Sequence, residues 1–259
     1  MSTKLPAARN LEGHVALVTG AGRGIGAATV AALARAGAEV WGVSRNAAEL
    51  EALANGLRAE DPAVRVHVRV LDVGDEAGVS ALFGELDVSR KAPSILVNNA
   101  GNFLRADVVD WSPEISRRLF ETHVIAPQLW AREFFRRRAS RRADPTLSAS
   151  TPDDACIVNI SSLGGLPHTD KFPGMSSYVA AKFAVYGLTE AWAVEGRPLG
   201  VRVNAVAPGA VRTRMLSEAA PFLKTDTGPE AVAEVIRGLC EARVASLTGS
   251  VIPLYTNAG

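Results

Sequence analysis

The sequence has few cysteines and no long apolar run. Cys156 and Cys240 are the only cysteines among 259 residues, and neither belongs to a C-x-x-C motif or a His-rich cluster. Two cysteines are too few for a disulfide framework, so we expect a reducing, cytoplasmic location, and we predict no metal site. Residues 1–10 contain no apolar segment, and no stretch of about 18 uncharged apolar residues follows, which predicts neither export nor membrane insertion.

An excess of charge of one sign is also missing. Lys and Arg number 28, Asp and Glu number 27, and the net charge at pH 7 is +1. This balance gives no electrostatic reason to expect a nucleic acid or a membrane as partner, and it leaves the charge of a substrate open. One local run of arginines is compatible with an anion-binding patch, but the helix dipole also favours cations at a helix C-terminus, and we favour a solvated run. The run comprises Arg136, Arg137, Arg138, Arg141 and Arg142.

Short apolar runs alternate with longer helical patterns along the whole chain. Such alternation is typical of a parallel sheet with right-handed crossovers and helices on both faces. The sequence therefore predicts a single-domain α/β Rossmann fold with a doubly wound, seven-stranded parallel sheet over residues 11–259, preceded by a mobile tail at residues 1–10. The predicted strands are residues 15–19, 39–44, 65–71, 94–98, 156–161, 201–206 and 250–254.

One polar segment interrupts this alternation. A long helix is predicted over residues 113–138, and the next strand begins near Cys156. The residues between them are polar, contain two prolines and have neither helical nor strand periodicity. We therefore predict a surface loop insertion at about residues 139–155.

A glycine-rich loop directly follows the first predicted strand. It has the sequence Thr-Gly-Ala-Gly-Arg-Gly-Ile-Gly over residues 19–26 and leads into a helix of small residues. Glycines permit a tight turn and close backbone approach, while the free amides and the positive end of the helix dipole face an anion. A merely tight turn needs one or two glycines, so four of them favour a dinucleotide pyrophosphate site.

The residues after the second strand bear on which dinucleotide is bound. A carboxylate there would accept hydrogen bonds from a free ribose 2′-hydroxyl, whereas an arginine would accommodate a 2′-phosphate. The strand ends in Ser44 and Arg45 without Asp or Glu, and Arg23 is a second cation in the glycine loop. NADP(H) is therefore favoured over NAD(H), with a simply solvated Arg45 as the alternative.

Tyr178 and Lys182 lie four residues apart in a predicted helix. This spacing places a phenol and an ammonium on one helix face, where a neighbouring cation in a dry pocket stabilises the phenolate. The pair fits an acid–base catalyst, although the spacing alone also arises by chance.

Together with further motifs, these features resemble the short-chain dehydrogenase/reductase family from about residue 13 to residue 249. The glycine loop is similar to that family's cofactor loop, Asn98-Asn99-Ala100-Gly101 to its fourth-strand motif, and residues 204–213 to its nicotinamide-side loop. Asp72 is similar to the aspartate near the adenine, Ser162 to the substrate-binding serine, and Tyr178 and Lys182 to the catalytic pair.

The resemblance implies hydride transfer between a nicotinamide and a ketone or secondary alcohol. Tyr178 would be the general acid/base, Ser162 would position the carbonyl oxygen, and Lys182 would lower the phenol pKa and hold the ribose. A homodimer or homotetramer is expected, with long helices packing between subunits. The implied cofactor-binding residues are Gly20, Arg23, Gly24, Ile25, Gly26, Ser44, Arg45, Asp72, Val73, Asn99, Ala100, Gly101, Tyr178, Lys182, Pro208, Gly209, Val211 and Thr213.

The chain also departs from the family pattern. His123 stands where the family usually carries an asparagine that anchors a water for the lysine, and the histidine is either a relay or a packed side chain. The segment between Ser162 and Tyr178 is longer than usual and contains His168, Asp170 and Lys171, for which a solvent-facing position is favoured. The substrate lid at about residues 214–229 is short.

Two other functions are compatible with these residues. One is reduction of a pterin-like C=N bond, which the His123 departure suggests. The other is a non-catalytic NADP(H)-sensing regulator that kept the fold while its active site drifted. Loss of Ser162, Tyr178 or Lys182 would have favoured the regulator, but all three are present.

Overall fold

A computed structural model describes residues 9–89, 91–144, 152–220 and 222–256 of the chain. Most of the predicted tail at residues 1–10 therefore lies outside the described residues, and the chain is already buried at Leu11. Within the described residues, no helix is both long and apolar enough to cross a membrane.

The seven predicted strands form one sheet, and all of its strand pairs are parallel. The strand order is β3-β2-β1-β4-β5-β6-β7, so the chain crosses from one edge of the sheet to its centre between β3 and β4. The carboxyl ends of β1 and β4 border the crevice where open α/β sheets bind ligands. The strands are β1 Val15–Thr19, β2 Glu39–Ser44, β3 Arg65–Val70, β4 Ile95–Asn98, β5 Ala155–Ile160, β6 Val201–Pro208 and β7 Val251–Leu254.

Helices cover both faces of this sheet, which confirms the predicted doubly wound fold. Successive strand residues alternate between the two cores: Ala16 and Val18 of β1 pack on one side with α1, α2 and α8, and Leu17 packs on the other with α3, α5 and α6. The helices are α1 Gly24–Arg35, α2 Ala47–Glu60, α3 Glu76–Val88, α4 Pro113–Phe120, α5 Ala126–Ala143, α6 Ser176–Gly196, α7 Arg214–Ala219 and α8 Pro229–Cys240.

The single helix predicted over residues 113–138 is interrupted by a wide turn. Helix α4 ends at Phe120, a π-helical turn spans Glu121–Ile125, and α5 follows from Ala126. Pro127 has no amide hydrogen to donate to the carbonyl of His123, and its ring would crowd that carbonyl in a regular α-helix. The wider turn removes this conflict, and π turns of this kind are frequent at functional sites.

The predicted loop at residues 139–155 begins later than expected because α5 continues to Ala143. Its centre, residues 145–151, lies outside the described residues. The preference for a solvated arginine run is wrong for Arg138 and Arg141, which are both buried. Arg138 donates to the backbone carbonyls of Pro152 and Asp153, so burial of this cation is accompanied by hydrogen bonds to the chain that follows the loop.

Candidate active site

A cavity of about 1650 Å³ opens at the carboxyl ends of the central strands. It extends from the glycine loop, past Ser162 and Tyr178, to the end of β7 at Tyr255. Every residue proposed from the sequence for catalysis or cofactor binding lines this cavity except Gly26. The structure therefore brings these residues together around one space.

The glycine loop is packed too closely for side chains. Gly20 has a φ of +65°, and a Cβ atom there would lie 2.7 Å from the Cα atom of Ala100. A Cβ atom on Gly26 would overlap the carbonyl oxygen of Gly20, so this buried glycine shapes the loop without lining the cavity. Helix α1 begins at Gly24, and the residue before it, Arg23, makes no side-chain capping bond. The first amides of α1 are thus available to an anion such as a pyrophosphate.

Two polar side chains tie the glycine loop to the chain after β4. The hydroxyl of Thr19 accepts hydrogen bonds from the backbone amides of Asn99 and Ala100, both at 3.0 Å. The side-chain amide of Asn99 donates to the carbonyls of Thr19 at 2.8 Å and Gly20 at 3.1 Å. Asn99 therefore holds the cofactor loop in place through the backbone, and Thr19 has a structural role that the sequence did not reveal.

Cations and carboxylates alternate where the adenosine ribose would lie. Arg45 pairs with Asp72 at 3.5 Å, and both side chains are exposed. Arg23 lies 3.9 Å from Glu49, a cavity-lining carboxylate that the sequence reasoning missed. The spacing Asn46-x-x-Glu49 resembles a helix capping box and could have placed Glu49 in the first turn of α2; Asn46 does cap that helix.

The catalytic candidates meet where β5 ends and α6 begins. Tyr178 and Lys182 lie one turn apart on α6, and the hydroxyl of Ser162 follows the end of β5 and accepts a hydrogen bond from the amide of Gly164 at 3.2 Å. Burial raises the pKa of Tyr178 above its usual value, and a side-chain hydrogen bond with Ser162 acts in the opposite direction. The side chains of Ser162 and Tyr178 therefore lie next to each other in the cavity.

Lys182 is buried and tied to the backbone. Its Nζ donates to the carbonyl of Ile160 at 2.8 Å and lies 5.7 Å from the ring centroid of Tyr178. Burial lowers the pKa of Lys182 from 10.5 to about 7. Burial disfavours the charged forms of both groups, and the lowering of the phenol pKa by Lys182 stays a prediction.

His123 lies in the π-helical turn beside this pair. Its ring is buried, contacts the ring of Tyr178 edge-on with centroids 5.6 Å apart, and donates from Nε2 to the carbonyl of Asn102 at 2.8 Å. Burial lowers the pKa of His123 well below 6.5, and the charge of Lys182 lowers it further. The imidazole is therefore neutral at pH 7, with Nδ1 as its remaining acceptor.

The chain after β6 closes the side of the cavity where the sequence predicts the nicotinamide. The amide of Gly209 donates to the carbonyl of Leu254 at 2.9 Å, which joins this loop to β7. Thr213 caps α7 by accepting from the amide of Leu216, and its methyl group would lie 3.3 Å from a Cβ atom on Gly24. The loops after β1 and β6 therefore face each other across the site.

Sequence comparisons now identify the family. A model of the family described as short chain dehydrogenase matches residues 14–223 of the chain. The chain belongs to the short-chain dehydrogenase family. It is accordingly an oxidoreductase of alcohol and carbonyl groups that uses a nicotinamide cofactor, as the sequence motifs predicted.

Relatives of this short-chain dehydrogenase carry different substrate names. Trans-4-hydroxycyclohexanecarboxylate dehydrogenase of Sinomonas cyclohexanicum is 37% identical over 212 residues, covering 78% of this chain and 73% of that protein. Farnesol dehydrogenase of Aedes aegypti is 33% identical over 209 residues, covering 80% of each. A Burkholderia cenocepacia short chain dehydrogenase, solved in complex with NADP, aligns with a TM-score of 0.80 at 26% identity over 95% of this chain and 97% of its own.

Two segments that the motifs do not describe form much of the cavity wall at the expected substrate end of this short-chain dehydrogenase. One is the insert at residues 163–175, and the other runs from α7 towards α8. His168, Asp170 and Lys171 of the insert are exposed at the cavity wall, and His168 has a positive φ of 57°. No sequence motif predicted the apolar residues of this wall, which are Phe103, Leu163, Phe172, Met175, Met215, Leu216, Leu223 and Tyr255.

In the part of the chain that the structure describes, no three or more His, Cys, Asp or Glu side chains are grouped so that they could hold a metal ion.

Proposed function

We propose that this protein is an NADP(H)-dependent oxidoreductase that interconverts a ketone and a secondary alcohol, with Tyr178 as general acid/base. The observation that carries the proposal is the meeting of Ser162, Tyr178 and Lys182 in the same cavity as the glycine loop. Proton donors and a dinucleotide cradle in one cavity are what carbonyl reduction requires. The expected homodimer or homotetramer and the cytoplasmic location stay predictions.

The glycine loop, the start of α1 and the nearby arginines fit a dinucleotide. The absence of side chains at Gly20 and Gly24, together with the uncapped start of α1, suits a pyrophosphate. Arg45 and Arg23 would bind a ribose 2′-phosphate, because a doubly charged phosphate competes strongly for cations held only in exposed ion pairs. When bound, the cofactor supplies the hydride to the carbonyl carbon or accepts it from the alcohol.

The side chains of the site donate and accept the proton of the reaction. In reduction, negative charge develops on the carbonyl oxygen as its carbon becomes the alcohol carbon, and the Tyr178 hydroxyl donates its proton to that oxygen. Ser162 donates a hydrogen bond to the same oxygen and holds it near the phenol. In alcohol oxidation the proton returns to the phenolate, and a positive charge on Lys182 stabilises that anion.

A pair of tyrosine variants on α6 tests this assignment. We expect Tyr178→Phe to lower kcat by about 10²-fold or more, since it removes the proton donor, while the Kd for NADPH changes little. Tyr186→Phe is the matched control, because Tyr186 lies on the same helix and does not line the cavity. NADPH oxidation and fluorescence titration provide the two measurements.

Three outcomes separate the candidate functions. Turnover of Tyr178→Phe at the rate of the unmodified protein would overturn the role of the phenol. Tight NADPH binding without oxidation of NADPH by any carbonyl compound would favour the non-catalytic regulator. Tighter binding of NADH than of NADPH would overturn the cofactor assignment alone.

A further inference from the structure

We infer that the substrate is a bulky, apolar carbonyl compound whose ring or chain packs against the aromatic pair of Phe172 and Phe222. This inference rests on the proposed function, because it concerns what enters the same site beside Tyr178. It assigns Phe172 and Phe222 as specificity-determining residues, which neither the sequence motifs nor the names of the relatives suggest.

The two phenylalanines belong to different segments: Phe172 lines the cavity, and Phe222, which does not, packs against the Phe172 ring; we call this exposed pair the rim. Phe172 lies in the insert at residues 163–175, and Phe222 follows α7. Their ring centroids are 5.7 Å apart and the rings are inclined by 68°, an edge-to-face contact. Both rings are nevertheless exposed, at 38% and 55%, so a substrate that covers them removes aromatic surface from water.

The apolar wall continues from this rim to the catalytic groups. Phe103 contacts the ring of Tyr178 edge-to-face, with centroids 5.2 Å apart. Met175 and Leu223 line the cavity on the insert and lid sides, and methionine side chains adapt to irregular apolar shapes. A carbonyl oxygen placed at Tyr178 therefore has apolar surface on the side that leads to Phe172 and Phe222.

The charged groups of the insert and α7 do not provide a site for an anionic substrate. Lys171 donates to the carbonyls of Leu166 and Thr169 at 2.8 Å, and its ammonium also lies over a ring outside the cavity. Arg214 is paired with Glu218 at 2.7 Å, and a singly charged carboxylate, unlike a doubly charged phosphate, has no advantage over Glu218 as the partner of this cation. Among the described cavity-lining residues of these two segments, Asp170 is the remaining charged side chain, and its carboxylate would repel a substrate anion.

Three carbonyl probes that differ in size and charge test the inference with NADPH as reductant. The bulky apolar probe is 1-tetralone, the small apolar probe is cyclohexanone, and the charged probe is 4-oxocyclohexanecarboxylate. Each reduction gives the corresponding alcohol and NADP⁺, so NADPH absorbance reports all three. We expect kcat/KM for 1-tetralone to exceed that for cyclohexanone by about 10-fold or more, with the charged probe lowest.

Variants at the rim then assign the preference to its residues. Phe172→Ala and Phe222→Ala should each lower kcat/KM for 1-tetralone by about 10-fold, mainly through KM, and leave cyclohexanone within about 2-fold. Phe183→Ala is the matched control for Phe172→Ala, because Phe183 is also 38% exposed but does not line the cavity. Circular dichroism and the Kd for NADPH verify that each variant is folded.

The possible failures are distinguishable. Reduction of cyclohexanone without a preference for 1-tetralone, or a preference that both rim variants retain, would overturn the inference and leave the proposed function intact. Faster reduction of the charged probe would overturn it as well. If none of the three probes is reduced although NADPH binds, the proposed function fails and the inference fails with it.

Discussion

The nucleotide end and the substrate end of the cavity are built in different ways. At the nucleotide end, neighbouring backbone segments approach so closely that Gly20 and Gly26 have no space for a Cβ atom. At the substrate end, the wall includes side chains on the insert and near α7; Phe172 of this wall is exposed, and so is Phe222, which packs against it. The nucleotide end depends on the absence of side chains at its glycines, whereas the substrate end depends on the side chains that form its wall.

This difference teaches which end tolerates change. A side chain added beside backbone atoms forces strands and helices of the sheet to move, because the surrounding core is close-packed. A side chain changed at an exposed rim alters what binds there and leaves the fold as it is. We therefore expect mutations of the close-packed glycines at the nucleotide end to affect stability and binding together, and mutations at the rim to affect substrate choice alone.

The strongest test of this comparison is Gly26→Ala. Its Cβ atom would overlap the carbonyl oxygen of Gly20 and lie 2.5 Å from Nδ2 of Asn99, so the glycine loop and the chain after β4 would have to separate. We expect a loss of about 3 kcal/mol in the free energy of unfolding. NADPH affinity should also fall by about 100-fold, measured by fluorescence titration alongside urea unfolding.

The control for this variant is Gly84→Ala in α3. No atom outside its own helix environment lies within 4 Å of a Cβ atom placed on Gly84. Alanine has the higher helix propensity, so we expect stability to rise by up to about 1 kcal/mol and NADPH affinity to stay unchanged. Equal effects of the two substitutions would show that close backbone approach does not distinguish the nucleotide end.

A smaller effect is expected from Arg45→Ala, which changes a side chain at the nucleotide end without disturbing its backbone. Arg45 is 80% exposed and pairs with Asp72, so its removal should leave stability nearly unchanged. The Kd for NADPH should rise by about 10- to 100-fold, since charge-assisted hydrogen bonds to the 2′-phosphate are lost. The Kd for NADH should change by less than about 3-fold.

Arg35→Ala provides the comparison for Arg45→Ala. Arg35 is also an exposed arginine in an ion pair, with Glu60 at 2.6 Å, but it does not line the cavity. This control should leave both affinities unaltered. If Arg45→Ala raises the Kd for NADPH and the Kd for NADH equally, Arg45 does not bind the 2′-phosphate. The carboxylate of Glu49 then becomes the better candidate for binding the ribose.

The sequence was most informative where local chemistry determines the structure. The seven strands were recognisable because short apolar runs between turn residues usually form strands in a chain where such runs alternate with helical patterns. The glycine loop was recognisable because only glycine permits such close backbone contacts. Its position after β1 therefore predicted both a tight turn and a pyrophosphate site. These features do not depend on which distant side chains meet.

The errors and omissions arose where distant side chains decide the outcome. Pro127 gave a local signal for the break before α5, but the periodicity of the surrounding residues concealed it. Burial of Arg138 depends on the chain after the loop, and the contact of Phe172 with Phe222 depends on two segments about 50 residues apart meeting at one rim. No pattern within either segment predicts the other.

The smallest predicted effect concerns His123, which lies between the two ends of the cavity. Its pKa is well below 6.5 in the folded protein because the ring is buried, whereas the unfolded chain protonates near 6.5. The unfolded state therefore binds more protons below pH 6.5, and the stability that the neutral ring contributes is lost as the pH falls. This single group should cost about 1 kcal/mol between pH 7.5 and pH 5.5.

His123→Asn isolates this contribution, because the other histidines with lowered pKa values, His14 and His67, stay the same in both proteins. Urea unfolding at the two pH values should show a smaller loss of stability in the variant by about 1 kcal/mol. The exposed His168 serves as control, and His168→Asn should keep the loss seen in the unmodified protein. If His123→Asn also keeps it, the ring is protonated in the folded state. A charged imidazole beside Lys182 would then mean that the centre of the cavity is more solvated than the substrate end, and an apolar substrate would have to displace that water before its carbonyl reached Tyr178.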